Sequence, residues 1–450
     1  MLSAEELTEN QEQSGHSISY AWFITAILML CYTFSMLDRE IISLLVEPIK
    51  AAFDITDFEM GLLMGPAFSL FYTFMGIPLG WAADRYNRKN LVTVGIAIWS
   101  LMTAFCGLAG TFIQLFFTRI GVGVGEASLT PSASSLLADL FPKDKLPLAT
   151  SVYSLGVFIG SSLAMIGGGF LLFHIKDVTV TWPIVGTLEY WQLTFIIVGL
   201  PGLVLAFFVY QIIEPKRVGL AKDEAGNIEK VSLLKALAYL MENKKLFLNF
   251  FLGGSIIATI GYHSAWYPSL FIRTWGWSEL EAAAATGFPS LIGGVTGLVL
   301  AGIIMGKMIE NGKQDAALKI AFIAALGIGI PAVAMPLMPS GILAAIVMIG
   351  AKLFVGIPLI SGIAMIRMSV PNQMRGQFTA LYFVFIGIVA TGLGPVIPGF
   401  FTTFLFNENT EMIRYSLAIS AGIVVPIGAT MIWFGWQEYK KVVYAQEEER

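Results

Sequence analysis

The sequence predicts an all-α membrane protein with twelve transmembrane helices. Of its 450 residues, 56% are hydrophobic and only 13% are charged, whereas a soluble domain carries about 25% charged residues. A helix of about 20 apolar residues crosses a bilayer, and the chain divides into about twelve such runs. Basic residues concentrate in alternate segments between these runs, which is the charge pattern that orients membrane proteins.

Internal matches such as Pro142, Thr150 and Tyr153 with Pro371, Thr379 and Tyr382, together with a central basic linker, predict two pseudo-symmetric six-helix bundles. The predicted helices of the first bundle cover residues 20–46, 57–79, 90–108, 112–140, 148–173 and 189–213. Those of the second bundle cover residues 246–272, 278–305, 320–338, 342–368, 377–405 and 412–437. Glycine and serine recur in the fifth run, and such small residues permit close helix packing. Glycine and proline recur in the eleventh run, which favours either bending or close packing.

A polar linker separates the two bundles. We place the first bundle with its short tail at residues 1–213, the linker at 214–245 and the second bundle at 246–450. The second half of the linker is amphipathic with basic edges, which is typical of a helix on the cytoplasmic membrane surface. Transporters built from two repeats bind substrate near the bilayer midplane at the repeat interface, and we expect the same of this chain.

The distribution of basic residues predicts the orientation. The predicted outer loops hold only Lys50, Lys176, Arg273 and Arg414, and most other Lys and Arg residues fall on the opposite side. Both termini are therefore expected in the cytoplasm. The polar, acidic start of the chain does not resemble a signal peptide. Short tails and the absence of an Asn-x-Ser/Thr acceptor favour a bacterial cell inner membrane, and we expect a monomer.

Ionisable residues within apolar runs are the first candidates for function, because they are costly in a membrane. Asp38 lies about 25 Å from the inner end of its helix and Arg119 about 10 Å from the outer end of its own, so the two share a depth. Glu126 follows Arg119 by seven residues and shares its helix face. Lys352 lies in the second half.

Two interpretations of these charges stay open. Asp38 and Arg119 could form a purely structural ion pair. Alternatively, Asp38 or Glu126 takes up a proton during a transport cycle and Arg119 responds. Burial favours a neutral carboxyl and a nearby guanidinium favours a charged one, so movement of the arginine would change the proton affinity. Arg39 is assigned to helix packing or to the outer mouth.

Other polar and sulfur-containing residues in the apolar runs are weaker candidates for functional residues. His263 and its neighbour Tyr262 are candidate substrate contacts, although a satisfied core histidine is the better explanation of His263 than a coupling group. Cys31 and Cys106 are best explained as small buried hydrophobes. No metal-ligand spacing, phosphate-binding glycine loop or catalytic nucleophile motif is present, so we expect no enzyme, cofactor or metal site, and no nucleic-acid partner.

A short, charge-dense turn at residues 80–89 joins the second and third predicted helices. Arg85, Arg88 and Lys89 mark the cytoplasmic side of a membrane, but acidic residues contribute little to orientation, and Asp84 needs another explanation. A carboxylate can bind the free backbone N–H groups at the start of a neighbouring helix. Asp84 could thus latch two bundles together, or the segment could be a plain basic turn.

The pattern Gly-x-x-x-Asp-Arg-x-x-Arg-Lys resembles the signature loop of the major facilitator superfamily. The usual pattern has Gly where this chain has Asn87, and Asn also tolerates left-handed backbone geometry. The resemblance implies the major facilitator fold, with Gly80, Asp84, Arg85 and Arg88 as conformational gating residues. We expect Asp84 to stabilise the outward-open state.

Further stretches resemble the spinster family of lipid transporters. These are Leu37-Asp38-Arg39, the run from Arg119 to Ser128, the run from Ala138 to Pro142 and, in the second half, Pro371 and Arg375-Gly376. Family members carry sphingosine-1-phosphate or lysophospholipids, some with proton coupling. The resemblance implies that Asp38, Arg119 and Glu126 are cavity charges.

Together these observations predict a secondary active transporter that works by alternating access and exchanges protons. The expected cargo is a lysophospholipid or a sphingosine-1-phosphate-like amphipathic anion. The expected substrate-binding residues are Arg119, Glu126, Lys352, His263 and Tyr262. The alternatives are a proton-coupled carrier of a small organic anion or drug, and a sensor or lipid scaffold that does not transport.

Overall fold

The computed structural model describes residues 17–142, 145–182, 186–215, 217 and 233–448. Most of the polar, acidic start of the chain (residues 1–16) and half of the predicted linker lie outside these residues. The helices before the linker are α1 Ile18–Glu40, α2 Val46–Phe53, α3 Asp57–Met64, α4 Pro66–Ala83, α5 Arg88–Cys106, α6 Phe112–Glu126, α7 Leu129–Leu140, α8 Leu146–Ile175, α9 Tyr190–Gly199 and α10 Pro201–Tyr210.

The second half of the chain is also helical. It contains α11 Leu233–Glu242, α12 Lys244–Tyr262, α13 Tyr267–Trp275, α14 Glu279–Glu310, α15 Ala316–Ala334, α16 Gly341–Val355, α17 Ile357–Ser369, α18 Arg375–Phe385, α19 Leu393–Phe400 and α20 Ile413–Glu448. Short 3₁₀ segments lie at Ile41–Leu44, His263–Trp266, Met335–Leu337, Asn372–Met374 and Thr410–Met412.

The described residues confirm the predicted helical membrane architecture. Eleven helical segments within them, several made of two consecutive helices, are long and apolar enough to cross a membrane. The fourth predicted helix is instead divided into α6 and α7. Ala127 and Ser128 separate these two helices, and the Ser128 hydroxyl donates to the Gly125 carbonyl at 2.9 Å. This side-chain bond uses a carbonyl at the end of α6, where the helix leaves its last acceptors open.

Two predicted loops contain regular structure. The predicted outer loop at residues 48–57 is largely the helix α2, which ends at Asp54 in a left-handed conformation (φ 51°). The predicted outer loop at residues 174–188 contains an antiparallel hairpin of β1 Val180–Trp182 and β2 Gly186–Leu188. Short segments of this kind depend on tertiary contacts rather than on their own periodicity, so the pattern does not predict them.

The eleventh predicted helix, whose glycines and prolines are compatible with bending or with close packing, is irregular. It consists of α18, a π-helical segment at Ile386–Gly392, α19 and a second π-helical segment at Phe401–Leu405. Single π turns inside α-helices often occur at functional sites.

The chain divides into two compact units. Unit 1 contains the described residues of Met1–Ile41 and Phe71–Lys230, and unit 2 contains those of Ile42–Leu70 and Val231–Arg450. The segment Ile42–Leu70, which precedes the predicted linker, therefore packs with the second half of the chain. In unit 1, α1 and α8 pack closely, because a Cβ at Gly160 would lie 2.5 Å from the Thr33 carbonyl oxygen.

Candidate functional site

Four ionisable side chains of unit 1 come together at the end of α1 and on α6. They are Asp38, Arg39, Arg119 and Glu126, and we call them the unit 1 charge cluster. The accessible fraction is 1% for Asp38, 0% for Arg119 and 1% for Glu126. The side chain of Arg39 is 17% exposed. The structure therefore brings together the three cavity charges that the sequence predicted and adds a fourth.

Glu126 is bound from α1 through one of its two carboxylate oxygens. Arg39 Nη2 forms an ion pair with Glu126 Oε2 at 2.7 Å, and the Ser35 hydroxyl donates to the same oxygen at 2.7 Å. Residues four apart share a helix face, which is why Ser35 and Arg39 reach one acceptor. Arg39 also stacks over Tyr72 at 4.9 Å from the ring centroid. Arg39 thus contacts a predicted coupling residue, a role that the sequence did not predict.

Arg119 binds the C-terminal end of α1. Its Nη1 donates to the Asp38 carbonyl oxygen at 3.2 Å and its Nη2 to the Arg39 carbonyl oxygen at 3.3 Å. The last carbonyl groups of a helix lack intrahelical donors and carry partial negative charge. Arg119 therefore stabilises the end of the helix that carries Asp38 and Arg39, so its movement would shift both.

One carboxylate oxygen each of Asp38 and Glu126 is unsatisfied among the described residues. Among the described residues, Asp38 Oδ1 and Glu126 Oε1 are buried and accept no hydrogen bond. Trp99 and Thr103 of α5 lie close to the Asp38 carboxylate, but neither forms a hydrogen bond with a described residue. Buried unsatisfied oxygens are rare in folded proteins. These two can accept a proton or a polar ligand without breaking an existing bond.

The signature turn at residues 80–89 contains one buried charge, Arg88. Arg88 Nε bonds to Glu214 Oε1 at 2.9 Å, and Nη1 forms an ion pair with Asp139 and donates to the Ser135 hydroxyl at 3.1 Å. Its accessible fraction is 0%. Arg88 is therefore a fixed centre that ties the start of α5 to α7 and to the segment after α10.

Glu214 and Arg217 hold this turn from outside its own sequence. The Glu214 carboxylate accepts the backbone N–H groups of Arg88 at 3.0 Å and Lys89 at 2.9 Å, so it caps the start of α5. Arg217 donates to the carbonyl oxygens of Ala83, Asp84 and Tyr86 at 2.7, 2.6 and 2.8 Å. Sequence reasoning missed both residues, although an acid and a base directly after an apolar run were a detectable signal.

Three other residues of the turn, Gly80, Asp84 and Arg85, face solvent or have room around them. Asp84 and Arg85 are exposed, and the Arg85 guanidinium stacks on Trp81 at 4.1 Å from the ring centroid. A Cβ at Gly80 would make only an ordinary contact with Pro131 at 3.9 Å. The exposed Asp84 side chain is thus available for a partner, whereas Arg88 is not.

The remaining predicted substrate-binding residues belong to unit 2. Tyr262 ends α12 and is partly buried, and His263 begins the following 3₁₀ segment with 2% exposure. Among the described residues, His263 Nε2 has no hydrogen-bond partner. Lys352 on α16 is partly buried, and its Nζ lies 5.6 Å from the centroid of the Tyr267 ring.

The chain resembles known transporters in sequence and in structure. The family profile of the Major Facilitator Superfamily matches residues 28–360. An MFS-type efflux pump of Mycolicibacterium smegmatis is 24% identical over 452 residues, which is 98% of each chain. Protein spinster homolog 1 of Bos taurus is 32% identical over 273 residues, covering 59% of this chain and 48% of that protein.

A solved structure agrees with these matches. A bacterial homologue of the human lysosomal transporter spinster, in an inward-facing and unoccupied conformation, has a TM-score of 0.74 and 27% identity to this chain. The match covers 94% of this chain and 98% of that one. The predicted resemblance to spinster transporters and the predicted fold are confirmed.

Proposed function

Because the chain belongs to the major facilitator superfamily, and is therefore a multi-pass membrane transporter and not an enzyme, we propose that it couples an anionic cargo to protons by alternating access. The proposed cargo is an amphipathic anion, either a lysophospholipid or a sphingosine-1-phosphate-like lipid. The observation that carries the proposal is the unit 1 charge cluster, in which two buried carboxylates each keep one oxygen unsatisfied among the described residues.

The charge of the cluster supports the proposed coupling. With both acids ionised, the two arginines and two carboxylates sum to zero, and one bound proton leaves a net charge of +1. A buried positive charge attracts an anion strongly, because the surroundings screen it little. Proton binding and anion binding therefore favour each other, and this linkage is reciprocal.

Each member has a proposed role. Glu126 and Asp38 accept the proton, and Arg119 and Glu126 contact the cargo headgroup. Arg39 holds Glu126 while that residue is ionised and is released when Glu126 is protonated. In unit 2, Lys352 is proposed to bind the anionic group, with His263 and Tyr262 as further contacts.

An apolar crevice supports an amphipathic cargo. It has a volume of about 220 Å³ and lies between α1, α8 and the α9–α10 region, with Phe34 and Leu37 contributed by α1 and Ile41 by the 3₁₀ segment that follows it. The same stretch of α1 carries Asp38 and Arg39 on neighbouring faces. A short segment of one helix thus presents both charge and apolar surface, which an amphipathic molecule requires.

The remaining sequence-based predictions become proposals about placement. We place the protein in the bacterial inner membrane as a monomer with both termini cytoplasmic, and keep the two six-helix bundles and the linker at the predicted boundaries. The linker helix α11 buries Ala236 and Leu240, exposes Leu237 and Met241, and is bound through Tyr239, whose hydroxyl donates to the Ser369 carbonyl oxygen at 3.0 Å. Its exposed apolar side chains suit the membrane surface.

The signature turn is proposed to gate the cycle. Asp84 is exposed and forms the changing contact, while Gly80 and Arg85 flank it. Arg88 positions the turn, because its ion pair with Asp139 and its bonds to Glu214 fix the start of α5. In this proposal, the acid Asp84 changes its contact during the cycle, whereas the base Arg88 stays in place.

A second candidate is a proton-coupled carrier of a small organic anion or drug. The match that favours it is the MFS-type efflux pump, which covers almost the whole chain, whereas the spinster homologue of Bos taurus aligns over 59% of it. The unit 1 charge cluster would bind this cargo for the same reason, because one bound proton leaves the cluster with a net charge of +1. The two candidates differ in whether the cargo has an apolar tail.

The experiment is uptake of a labelled lysophospholipid into proteoliposomes, with and without an imposed pH gradient. We expect gradient-driven accumulation that Glu126→Gln abolishes, because the amide cannot take up the proton. The matched control is Glu40→Gln, which makes the same change on α1 at a carboxylate bound by Ser161 at 2.7 Å rather than by the cluster. This control should keep at least half of the accumulation.

Two results would contradict parts of the proposal. If Glu126→Gln leaves the pH dependence of uptake unchanged, Glu126 does not couple protons. If the wild-type protein moves no lysophospholipid but accumulates organic anions under the same gradient, the second candidate replaces the first.

A further inference from the structure

A second charge cluster lies in unit 2, and its residues have none of the functional roles assigned above. It consists of Glu47 and Lys50 on α2, Asp57 at the start of α3, Arg273 on α13 and Glu408 in the turn after the second π-helical segment. We call these five residues the unit 2 charge cluster. The side chains of Asp57 and Arg273 are 0% and 5% exposed. Five charges from four separate segments converge here.

Asp57 is the centre of this cluster. Arg273 donates to it through both terminal nitrogens, at 2.7 Å to Oδ2 and 3.0 Å to Oδ1, and Lys50 forms an ion pair with Oδ1. Such bidentate pairing of arginine and carboxylate is among the strongest side-chain interactions. The remaining side of Arg273 is used as well, because its Nε bonds to Glu47 Oε1 at 2.8 Å.

Glu408 binds both the side chain and the backbone of this region. Its Oε1 accepts from Lys50 Nζ at 2.6 Å and from the Asp57 backbone N–H at 2.8 Å. The Thr403 hydroxyl donates to Glu408 Oε2 at 2.6 Å and accepts the Phe58 N–H at 3.0 Å. The first backbone donors of α3 are therefore capped by a segment more than 300 residues later in the chain, where helix polarity favours a negative charge.

The backbone that presents Glu408 is strained. Asn407 and Glu408 have φ values of 50° and 57°, which place two consecutive non-glycine residues in the left-handed region. Such residues persist only where the surroundings over-determine them, and they concentrate at functional and switch regions. The bonds of Glu408 to Lys50, Asp57 and Thr403 supply that constraint.

Glycines beside the cluster let backbones touch. A Cβ at Gly399 on α19 would lie 2.3 Å from the Asp57 carbonyl oxygen, and one at Gly61 on α3 would lie 2.9 Å from the Pro395 carbonyl oxygen. No side chain separates α3 from α19 at these points. The two backbones are in direct contact here, so a side chain added at either glycine would push the helices apart.

We propose that the unit 2 charge cluster is a latch that holds α2 and α3 against α13 and the turn containing Glu408, with Asp57 as its positioning residue. The sequence places these segments at the outer side of the membrane, so the latch keeps that side closed. The proposal rests on alternating access, because a latch matters only if this region opens during transport. It does not depend on which cargo is moved.

The test measures the distance between two spin labels in unit 2. The labels are attached at Ala51→Cys on α2 and Glu411→Cys after the turn, two positions that are exposed, whereas the native Cys31 and Cys106 are buried. Pulsed electron paramagnetic resonance records the distance distribution at fixed pH without cargo. The variants Asp57→Asn and Glu408→Gln remove charge while keeping shape, and Asp54→Asn is the matched control.

We expect Asp57→Asn to raise the ratio of long to short distances about tenfold, because two cations lose their shared partner. Glu408→Gln should raise it about threefold, since this side chain is 31% exposed. Asp54→Asn should change nothing, because Asp54 is exposed and Asn tolerates its left-handed backbone.

The proposal is overturned if Glu408→Gln leaves the distribution of the parent unchanged, or if Asp54→Asn shifts it as far as the cluster variants do. Should Asp57→Asn not fold, Glu408→Gln alone decides. Failure of lysophospholipid uptake together with shifted distances would reject the proposed cargo and leave the latch standing.

Discussion

Both charge clusters contain buried carboxylates, but the carboxylate oxygens of the two clusters are hydrogen-bonded to different degrees. In the unit 2 charge cluster, both oxygens of Asp57 accept from cations and both oxygens of Glu408 accept hydrogen bonds. In the unit 1 charge cluster, Asp38 Oδ1 and Glu126 Oε1 accept none among the described residues. A saturated network resists change, whereas an unsaturated one has capacity for a proton or a ligand. The same residue types therefore serve a mechanical role in one place and a chemical role in the other.

The segments that build the clusters differ as well. The unit 1 charge cluster is carried by α1 and α6, within predicted membrane helices, so its side chains are held by regular backbone. The unit 2 charge cluster joins segments between predicted helices, including the strained turn at Asn407 and Glu408. Interactions there must hold the backbone in place as well as pair charges. The comparison predicts that equal substitutions have unequal consequences for stability.

The largest expected difference comes from replacing aspartate by asparagine in each cluster. Asp57→Asn should lower the free energy of unfolding by about 3 kcal/mol, because Lys50 and Arg273 lose the buried anion that they share and each keeps only a partly exposed glutamate. Asp38→Asn should change it by less than about 1 kcal/mol, because one oxygen of Asp38 makes no hydrogen bond to lose. Thermal unfolding of the purified protein in detergent compares the two variants.

Transport provides the control for this pair. Asp38→Asn should fold normally yet lose gradient-driven uptake, whereas the reduced stability of Asp57→Asn should be visible without any cargo. If Asp38→Asn and Asp57→Asn lost equal amounts of unfolding free energy, the difference in hydrogen bonding between the two clusters would have no effect on stability. The distinction between a chemical and a mechanical cluster would then be wrong.

A smaller effect is expected from Gly399→Ala, which tests the docking of α3 without altering a charge. The added methyl group would lie 2.3 Å from the Asp57 carbonyl oxygen, so the backbone must move, at a cost of about 2 kcal/mol. The control is Gly422→Ala on α20, where a Cβ meets no atom within 4 Å. That substitution should be neutral or slightly stabilising, because alanine favours helix more than glycine does.

Thermal unfolding and the spin-label distance measure this prediction together. We expect Gly399→Ala to lower the unfolding midpoint and to increase the population of long distances. A loss of stability with an unchanged distance distribution would mean that the glycine contact serves folding alone and does not support the latch.

The sequence predicted the unit 1 charge cluster better than the unit 2 charge cluster for a physical reason. Asp38, Arg119 and Glu126 interrupt apolar runs, where a charge is conspicuous because it is costly. Asp57 and Glu408 lie in segments between the runs, where charges are ordinary, and only the fold shows that Asp57 is buried. A pairing across 351 residues, such as that of Asp57 with Glu408, leaves no local pattern.

Arg39 shows that side-chain contacts are hard to predict from sequence even within a correctly predicted helix. The sequence places it beside Asp38, but consecutive residues of a helix point about 100° apart, and nothing in the pattern says which of them faces Glu126. The fold itself followed from the long apolar runs, whereas α2 did not, because a helix of 8 residues depends on its tertiary contacts. The pattern of apolar residues thus predicts the long membrane-spanning helices, but it does not predict a short helix such as α2, which is stabilised by ion pairs.

The smallest expected effect is that of Glu47→Gln, which tests whether the unit 2 charge cluster is organised around Asp57. The Glu47 side chain is 38% exposed and contacts Arg273 through a single bond, so its removal should cost less than about 1 kcal/mol of unfolding free energy. Arg273 keeps its bidentate pair with Asp57 in this variant. Thermal unfolding at low and high salt measures the loss.

The salt dependence sharpens this last prediction. Screening weakens exposed charge pairs but hardly affects buried ones, so wild type and Glu47→Gln should converge in stability as salt is raised. Asp57→Asn should stay less stable than wild type at every salt concentration. If Glu47→Gln destabilises the protein as much as Asp57→Asn does, the cluster has no single centre. Asp57 would then not be the positioning residue of the latch.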